Sequence, residues 1–315
     1  MTATLRTAAR FEVGFRWACQ LSALLVLVVL AGIIVSLVVG SWPALSAFKW
    51  NFITETRWNP VTQVFGAATP IYGTVVTSVI ALLIAVPFAF GIAVFLTETC
   101  PVRLRGPIAT AIELLASIPS IVYGIWGLFV LAPILQHSVQ PWLIEHVGPL
   151  PLLGPLFQGP PFGIGLLTAG VVLAIMVLPF ITSVMREVFR MVPHPLKEAA
   201  YGLGATQWNV VWGVVLPWSS RGVIGGIILG LGRALGETMA VTFVIGNAHR
   251  LNLSLLSPST TISAAIANEF AETDSVLYSS SLFTLGLLLF VLTFLVISAA
   301  RLLIMRVERA GGGRV

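Results

Sequence analysis

Long apolar runs separated by shorter polar segments extend along the whole chain. A transmembrane helix needs about twenty apolar residues to cross roughly 30 Å of hydrocarbon. Six runs have this length, and each predicts one membrane-spanning helix. They are Trp17–Gly40, Ile71–Leu96, Ile108–Leu131, Ile164–Met185, Gly222–Gly246 and Ser281–Ala300. The pattern therefore predicts an all-α polytopic membrane protein with six transmembrane helices.

The composition supports this class. The chain is 57% hydrophobic and only 9% charged, and its mean hydropathy is +0.98. The first run is longer than the apolar core of a signal peptide, about 7–15 residues, so we expect it to remain as a span. The two cysteines, Cys19 and Cys100, lie far apart and indicate neither a disulfide framework nor a metal site.

The distribution of positive charge predicts the orientation. If the N-terminus is cytoplasmic, only Lys49, Arg57 and Arg250 fall outside, and Arg233 lies within a span. The remaining basic residues fall inside: Arg6, Arg10, Arg16, Arg103, Arg105, Arg186, Arg190, Lys197, Arg221, Arg301, Arg306, Arg309 and Arg314. The positive-inside rule then predicts that both termini are cytoplasmic. The same bias accounts for the net charge of +5 without a nucleic-acid partner.

A polar segment between the fourth and fifth runs has an internal order of its own. This segment, Lys197–Pro217, reads KEAAYGLGATQWNVVWGVVLP and is called the coupling loop below. Pro195 can occupy the first turn of a helix, Gly204 can end that helix, and Thr206 can cap a second one. We expect a short helix, a sharp turn and a second helix on the cytoplasmic side, with Pro217 preceding the fifth span.

The residues of the coupling loop resemble the EAA loop of bacterial ABC importer permeases. The resemblance rests on Glu198, Ala199 and Ala200, then Gly204 after three residues, then Leu216-Pro217. Val214 replaces the usual Ile. In these permeases the loop couples the membrane subunit to its ATPase, so the resemblance implies this role for Glu198, Ala199, Ala200 and Gly204. An ordinary amphipathic connector is the alternative interpretation.

Other segments narrow the resemblance to the C-type permease subunit of phosphate-specific ABC importers. They are Trp58–Thr74, Ile112–Pro133 and Gly230–Asn247, the last reading GLGRALGETMAVTFVIGN. The resemblance implies a type-1 ABC importer permease fold in the inner membrane, with the permease core at residues 71–303. Residues 1–70 precede this core, and residues 304–315 form a cytoplasmic tail.

The same resemblance implies the partners. They are a second permease subunit, two ATPase subunits at the cytoplasmic face and an extracytoplasmic phosphate-binding protein. ATP would be bound by the partner ATPases, so this chain is expected to hold no cofactor or metal and to be a transport subunit rather than an enzyme. The external loops Trp42–Ala68, Ala132–Gly163 and Ala248–Leu277 either contact the binding protein or serve as passive connectors.

Two charges within the fifth run point to the translocation path. Arg233 and Glu237 lie far from both ends of the run, and ionisable residues at that depth usually mark ion pathways. On one continuous helix they share a face with Gly222, Gly226 and Gly230. Glycines at this spacing allow another helix to come close, so the two charges should face protein or a polar path.

A guanidinium matches two phosphate oxygens. We therefore predict that Arg233 and Glu237, with Thr238 beside them, contact phosphate in transit. A purely structural ion pair between Arg233 and Glu237 is the alternative. Another oxyanion, molybdate or sulfate, is the alternative substrate. An enzyme or an ion-driven carrier acting alone would not need the coupling loop.

Overall fold

A computed structural model describes residues 2–151 and 153–311, with side chains described for residues 14–151 and 153–302. The described chain is helical apart from a small β-hairpin and connecting loops. The predicted tail, residues 304–315, is helical as far as Gly311, and residues 312–315 lie outside the described residues.

The helices and strands follow one another along the chain with short connections. They are α1 (Thr2–Phe48), α2 (Asn51–Thr54), β1 (Trp58–Asn59), β2 (Val64–Phe65), α3 (Ala68–Val94), α4 (Val102–Ser117), α5 (Ser120–Trp126), α6 (Ala132–Ile134), α7 (Gln140–His146), α8 (Leu166–Arg190), α9 (His194–Gly202), α10 (Gln207–Val210), α11 (Leu216–Leu235), α12 (Met239–Ile245), α13 (Ile262–Glu269) and α14 (Val276–Gly311). Short π-helical stretches extend or join several of them: Phe95–Thr99, Gly127–Leu131, Leu135–Val139 and Val211–Val215. Two 3₁₀ turns, Gly154–Phe157 and Phe270–Glu272, complete the described helical structure.

Six helical stretches of the described chain are long and apolar enough to cross a membrane, which confirms the predicted number. They are Gly14–Phe48, Ala68–Thr99, Ser120–His146, Leu166–Arg190, Gln207–Leu235 and Val276–Leu302. Two of the predicted spans, the third and the fifth, have substantially different boundaries.

The third span lies further along the chain than predicted. Ile118 separates α4 from α5 in an extended conformation (φ −65°, ψ 131°), because the ring of Pro119 disfavours a helical residue before it. The membrane-length helix begins after this break and covers Ser120–His146. The predicted span Ile108–Leu131 is therefore wrong, and about half of the predicted external loop Ala132–Gly163 is helical.

The main core lies where α3 packs along α8. Four alanines on α3, each four residues after the last, have no exposed surface: Ala81, Ala85, Ala89 and Ala93. Residues at this spacing lie on one face of a helix, and small side chains allow two backbones to approach closely. The most apolar part of α1, by contrast, is not buried, so its surface is left for lipid or for other subunits.

A second, smaller core forms where the hairpin β1–β2 and α13 meet the N-terminal end of α3. Phe65 on the hairpin and Tyr278 on α14 stack with ring centres 5.1 Å apart. The backbone N–H of Ile262 donates to Thr74 Oγ1 at 3.0 Å, which joins α13 to α3. The segments that connect the spans at this end are thereby packed onto the bundle.

Candidate functional site

The first helix of the coupling loop, α9, ends in a Schellman motif. The N–H of Ala205 donates to the carbonyl of Ala200 (3.1 Å), and the N–H of Gly204 donates to the carbonyl of Tyr201 (2.9 Å). Two carbonyls left open at the helix end are thereby satisfied. Gly204 has φ +85°, the left-handed region that glycine enters without steric cost. The three-residue interval between Ala200 and Gly204 in the motif is therefore the spacing that this helix end requires.

Thr206 starts the second helix of the coupling loop, as predicted. Its Oγ1 accepts a hydrogen bond from the N–H of Asn209 at 3.3 Å. The helix then continues through α10, the π-helical stretch and α11, so that one membrane-length helix covers Gln207–Leu235. The prediction that Pro217 precedes the fifth span is therefore wrong. Pro217 lies inside the span, just after the wider π-helical turn.

The coupling loop presents its side chains to the surroundings rather than to the bundle. None of the residues of α9 is buried, and Glu198 and Ala199 are exposed. Leu203, in the turn after α9, is 91% exposed. A rigid helical turn that displays an apolar side chain in this way is suited to contact with another protein.

The fifth predicted span is broken between its two charged residues, Arg233 and Glu237. α11 ends at Leu235, the chain passes through Gly236–Thr238, and α12 starts a new helix. Arg233 lies in the last turn of α11, whereas Glu237 lies in the break. The predicted span Gly222–Gly246, with both charges on one continuous helix, is therefore wrong. Transporters commonly use such interrupted helices to bring polar groups to the middle of the membrane.

The predicted close packing of the glycine face is confirmed for α11. A Cβ atom added to Gly222 would lie 2.4 Å from a methyl group of Val188 on α8. The same construction at Gly226 and Gly230 meets Val184 and Ile181 of α8, at 2.9 and 2.7 Å. The glycines thus bring α11 directly against α8.

Arg233 extends from α11 near α8, with its guanidinium carbon 5.9 Å from the centre of the Phe180 ring. A cation over an aromatic face is attracted by the ring quadrupole, and a helix C-terminus also favours positive charge. Arg233 is exposed in the single chain. Among the side chains of residues 14–151 and 153–302, no carboxylate forms an ion pair with Arg233. Its guanidinium therefore remains available to an anion.

Glu237 and Thr238 are engaged in forming the break. Glu237 Oε1 accepts a hydrogen bond from the N–H of Ala240 at 3.3 Å, in the first turn of α12. Thr238 Oγ1 donates to the carbonyl of Gly236 at 3.4 Å. A carboxylate at the start of a helix satisfies an open N–H and complements the helix dipole. The alternative interpretation, a structural ion pair between Arg233 and Glu237, is not found among the described side chains, and the two residues belong to separate helix ends.

Two further observations concern the described charged side chains. Glu113 Oε1, on α4, lies 2.6 Å from Arg186 Nη2, on α8. No group of three or more His, Cys, Asp or Glu side chains within residues 14–151 and 153–302 is placed to hold a metal ion.

A buried ion pair that the sequence analysis did not identify joins the coupling loop to α3. Lys197 Nζ lies 2.6 Å from Glu98 Oε1, and the two side chains are 12% and 7% exposed. Glu98 lies on the π-helical stretch Phe95–Thr99 at the end of α3. Burial and the nearby Glu98 carboxylate also raise the pKa of Tyr201 on α9. The two charged residues are 99 positions apart in sequence, so no local motif links them.

A second unanticipated feature, the Glu269 cluster, lies at the other end of α3. It consists of Glu269, Trp58, His249 and Tyr278. Glu269 Oε2 accepts hydrogen bonds from Trp58 Nε1 (2.5 Å) and Tyr278 OH (2.7 Å), and Oε1 lies 2.6 Å from His249 Nε2. Burial alone would raise the pKa of Glu269, but the hydrogen bonds from His249, Tyr278 and Trp58 lower it below its ordinary value.

Comparisons with known proteins agree with this architecture. Residues 85–309 match the model of the family described as binding-protein-dependent transport system inner membrane component. A phosphate transport system permease protein PstC from Mesorhizobium japonicum is 59% identical over 310 residues, covering 98% of this chain and 95% of that protein. One of the same name from Pasteurella multocida is 58% identical, covering 96% and 94%.

A solved structure shows the same fold at low sequence identity. A chain of the inward-facing MetNI methionine ABC transporter aligns with a TM-score of 0.56 and 18% identity, covering 81% of this chain and 99% of that chain. At this identity the likeness concerns the fold alone. The family match spans most of the chain, and the permease fold agrees with it. This chain belongs to the family of inner-membrane components of binding-protein-dependent transport systems.

Proposed function

We propose that this chain is a membrane-spanning permease subunit of an ATP-driven importer and that its substrate is inorganic phosphate. The observation that carries the proposal is the near-full-length similarity to phosphate transport permeases, at 59% identity over 98% of the chain. The exposed coupling loop, with its defined helix end at Gly204, supports the dependence on an external ATPase. An ion-driven carrier acting alone would have no use for such a loop.

The partners follow from the same proposal. A second permease subunit would complete the translocation path, two ATPase subunits would bind and hydrolyse ATP, and an extracytoplasmic binding protein would deliver phosphate. In this chain Glu198, Ala199 and Gly204 would form the contact with one ATPase, and Ala200, which is partly covered by the main core, would hold α9 against the bundle. The exposure of α9 supports this assignment, because a docked helix must present its side chains outward in the isolated subunit.

Arg233 is the residue that we assign to phosphate in the translocation path. Its guanidinium offers a planar set of donors for two phosphate oxygens and lies beside a break in a membrane helix. Contact with Phe180 holds the side chain without a competing carboxylate. A permease must release its substrate, so a single arginine that neutralises phosphate briefly suits transport better than a tight, multi-arginine site.

For Glu237 and Thr238 we propose a role in shaping the break in addition to the predicted contact with phosphate. Glu237 would shape the path by holding the first turn of α12, with its second carboxylate oxygen left to meet a protonated phosphate oxygen. Thr238 would line the same break. Beside that contact Glu237 would have a positioning role, because its Oε1 accepts a hydrogen bond from Ala240 N–H within the chain itself.

Transport by reconstituted complexes tests the assignment of Arg233. The chain, its partner permease and the ATPases are assembled in liposomes, and phosphate uptake driven by ATP is measured with the loaded binding protein. Arg233→Gln should eliminate uptake, while ATP binding and docking of the loaded binding protein persist. Arg233→Lys keeps the charge without the planar fork and should retain a small part of the uptake. Arg190→Gln, on an exposed arginine of α8, is the control.

Two results would contradict the proposal. Uptake of sulfate or molybdate in preference to phosphate by the wild-type complex would replace phosphate with another oxyanion. Full uptake by Arg233→Gln would remove Arg233 from the path and leave it as a structural contact of Phe180.

A further inference from the structure

Among the described side chains, one ion pair joins α9 to the rest of the subunit. Its other residues are exposed apart from Ala200, which lies one turn after Lys197 and is partly covered by the main core. Lys197 and Ala200 therefore form the inner face of α9. The opposite face, which includes Glu198 and Ala199, points outward. Apart from its short chain connections to α8 and α10, α9 therefore meets the bundle along this inner face.

This ion pair is Glu98–Lys197, and its burial makes it a specific contact. Its two charges are about nine-tenths removed from solvent and lie 2.6 Å apart. Removing buried charges from water is costly, so such a pair is maintained only when each charge meets its partner at close range. The pair therefore fixes the position of Lys197 relative to Glu98 far more strictly than a surface ion pair would.

Glu98 is itself held by the surrounding backbone. Arg105 Nη2, at the start of α4, donates to the carbonyl of Thr97 at 3.1 Å. The π-helical stretch that carries Glu98 continues directly from α3, and single π-helical turns within α-helices are frequent at functional sites. Thus α3 and α4 together present the carboxylate of Glu98 to the coupling loop.

We infer that the Glu98–Lys197 pair is the link through which movement of the coupling loop is transmitted to α3. The inference rests on the proposed function, in which an ATPase binds the outer face of α9. When the ATPase moves α9, the buried pair makes the end of α3 follow. Because α3 packs along α8, and α8 carries the Phe180 contact of Arg233, this displacement reaches the helices that surround the path. Glu98 and Lys197 are positioning residues and do not touch the substrate.

The number of phosphate ions transported per ATP hydrolysed distinguishes transmission from a merely structural role. Glu98→Gln with Lys197→Gln removes both charges together, so that neither is left buried without a partner. In reconstituted complexes with the loaded binding protein, we expect the ratio of phosphate to ATP to fall about tenfold, the scale of a typical coupling free energy between sites. ATP hydrolysis should continue, because the outer face of α9 is unchanged.

The ratio is measured only on complexes that assemble, so a smaller yield of complex does not alter it. The reversed pair, Glu98→Lys with Lys197→Glu, provides a second test. It should recover a higher ratio than either single reversal, since it restores opposite charges at the same place. Arg190→Gln is the matched control, because Arg190 pairs with Glu187 in a contact that is about half exposed on each side.

A wild-type ratio in the double glutamine variant would overturn the inference. A reversed pair with no advantage over the single reversals would do the same. Failure of the proposed function looks different: the wild-type complex would then hydrolyse ATP without moving phosphate, whatever the state of the Glu98–Lys197 pair.

Discussion

The two ends of α3 differ in how many polar contacts join them to their surroundings. At the end that starts with Ala68, the Glu269 cluster gathers three hydrogen-bond donors from three segments around one carboxylate. At the other end, one ion pair among the described side chains, Glu98–Lys197, joins α9 to α3. The first arrangement closes loops onto the protein, whereas the second leaves most of the surface of a helix uncovered.

The difference indicates that burial of a charge serves two purposes in this subunit. Around Glu269, aromatic rings reinforce the hydrogen bonds: Trp58 stacks on His249 with ring centres 5.1 Å apart. Each added contact removes freedom from the loops. No residue of α9 takes part in a ring–ring contact with the described side chains, and most of the helix surface is exposed. We interpret the Glu269 cluster as a fixed closure and the coupling loop as a part that can move.

The largest effect is expected at Gly204, the residue of the coupling loop whose backbone lies in the left-handed region. Gly204→Asp places a side chain at φ +85°, a conformation that costs an L-residue about 1 kcal/mol or more. A Cβ atom at this position would meet no atom within 4 Å, so the fold of the isolated subunit should survive. The added bulk and charge lie on the docking surface, so phosphate uptake and ATPase association should both be lost.

Pull-down of the ATPase with the variant subunit and uptake by reconstituted complexes measure these two effects. Gly202→Asp is a useful comparison, because Gly202 lies within α9 without a left-handed backbone and also has open space around it. Normal uptake by Gly204→Asp would show that the turn after α9 does not need its observed geometry.

The sequence predicted the coupling loop better than the membrane interior. The helix, the left-handed glycine and the Thr206 cap of the coupling loop all depend on neighbouring residues, which a local pattern can reveal. Hydropathy reports the length of an apolar run but not whether the helix is interrupted. It therefore missed the breaks at Ile118 and at Gly236–Thr238, although Pro119 and the glycines near Arg233 are typical break signals.

The two buried polar groups at the ends of α3 had no local signal at all. Glu98 meets Lys197, and Glu269 meets Trp58, across long intervals of sequence. Only the packing of α3 with its neighbours brings these pairs together. For the same reason the sequence placed Arg233 and Glu237 on one helix: the i to i+4 spacing implies a shared face only where the helix is continuous.

A smaller effect is expected at the Glu269 cluster, because several contacts stabilise it together. Glu269→Gln keeps the shape but removes the charge that strengthens its hydrogen bonds, and it should cost about 2 kcal/mol of stability. The thermal midpoint of the assembled complex, followed by size-exclusion chromatography after heating, should fall by several degrees. Glu272→Gln changes an exposed carboxylate nearby and should have almost no effect.

Glu269→Gln also tests whether the two ends of α3 have different roles. If the Glu269 cluster is a fixed closure, the complexes that remain folded should transport as many phosphate ions per ATP as the wild type. A large fall in that ratio, without a fall in the thermal midpoint, would mean that both ends of α3 take part in coupling.

The smallest effect is the dependence of this closure on pH. The pKa of Glu269 is lowered from its ordinary value of 4.5, so the folded state favours the charged carboxylate. A carboxyl group of this kind contributes stability that is fully present above its ordinary pKa and is lost as the pH falls through its lower folded pKa. The difference in thermal midpoint between the wild type and Glu269→Gln should therefore stay constant from about pH 7 to 5 and shrink at lower pH. His249 and Tyr278 are the other titratable groups in direct contact with Glu269, and Glu272 acts on Tyr278 from nearby. If the difference already narrowed between about pH 7 and 6, well above the lowered pKa of Glu269, a group other than Glu269 would control the closure.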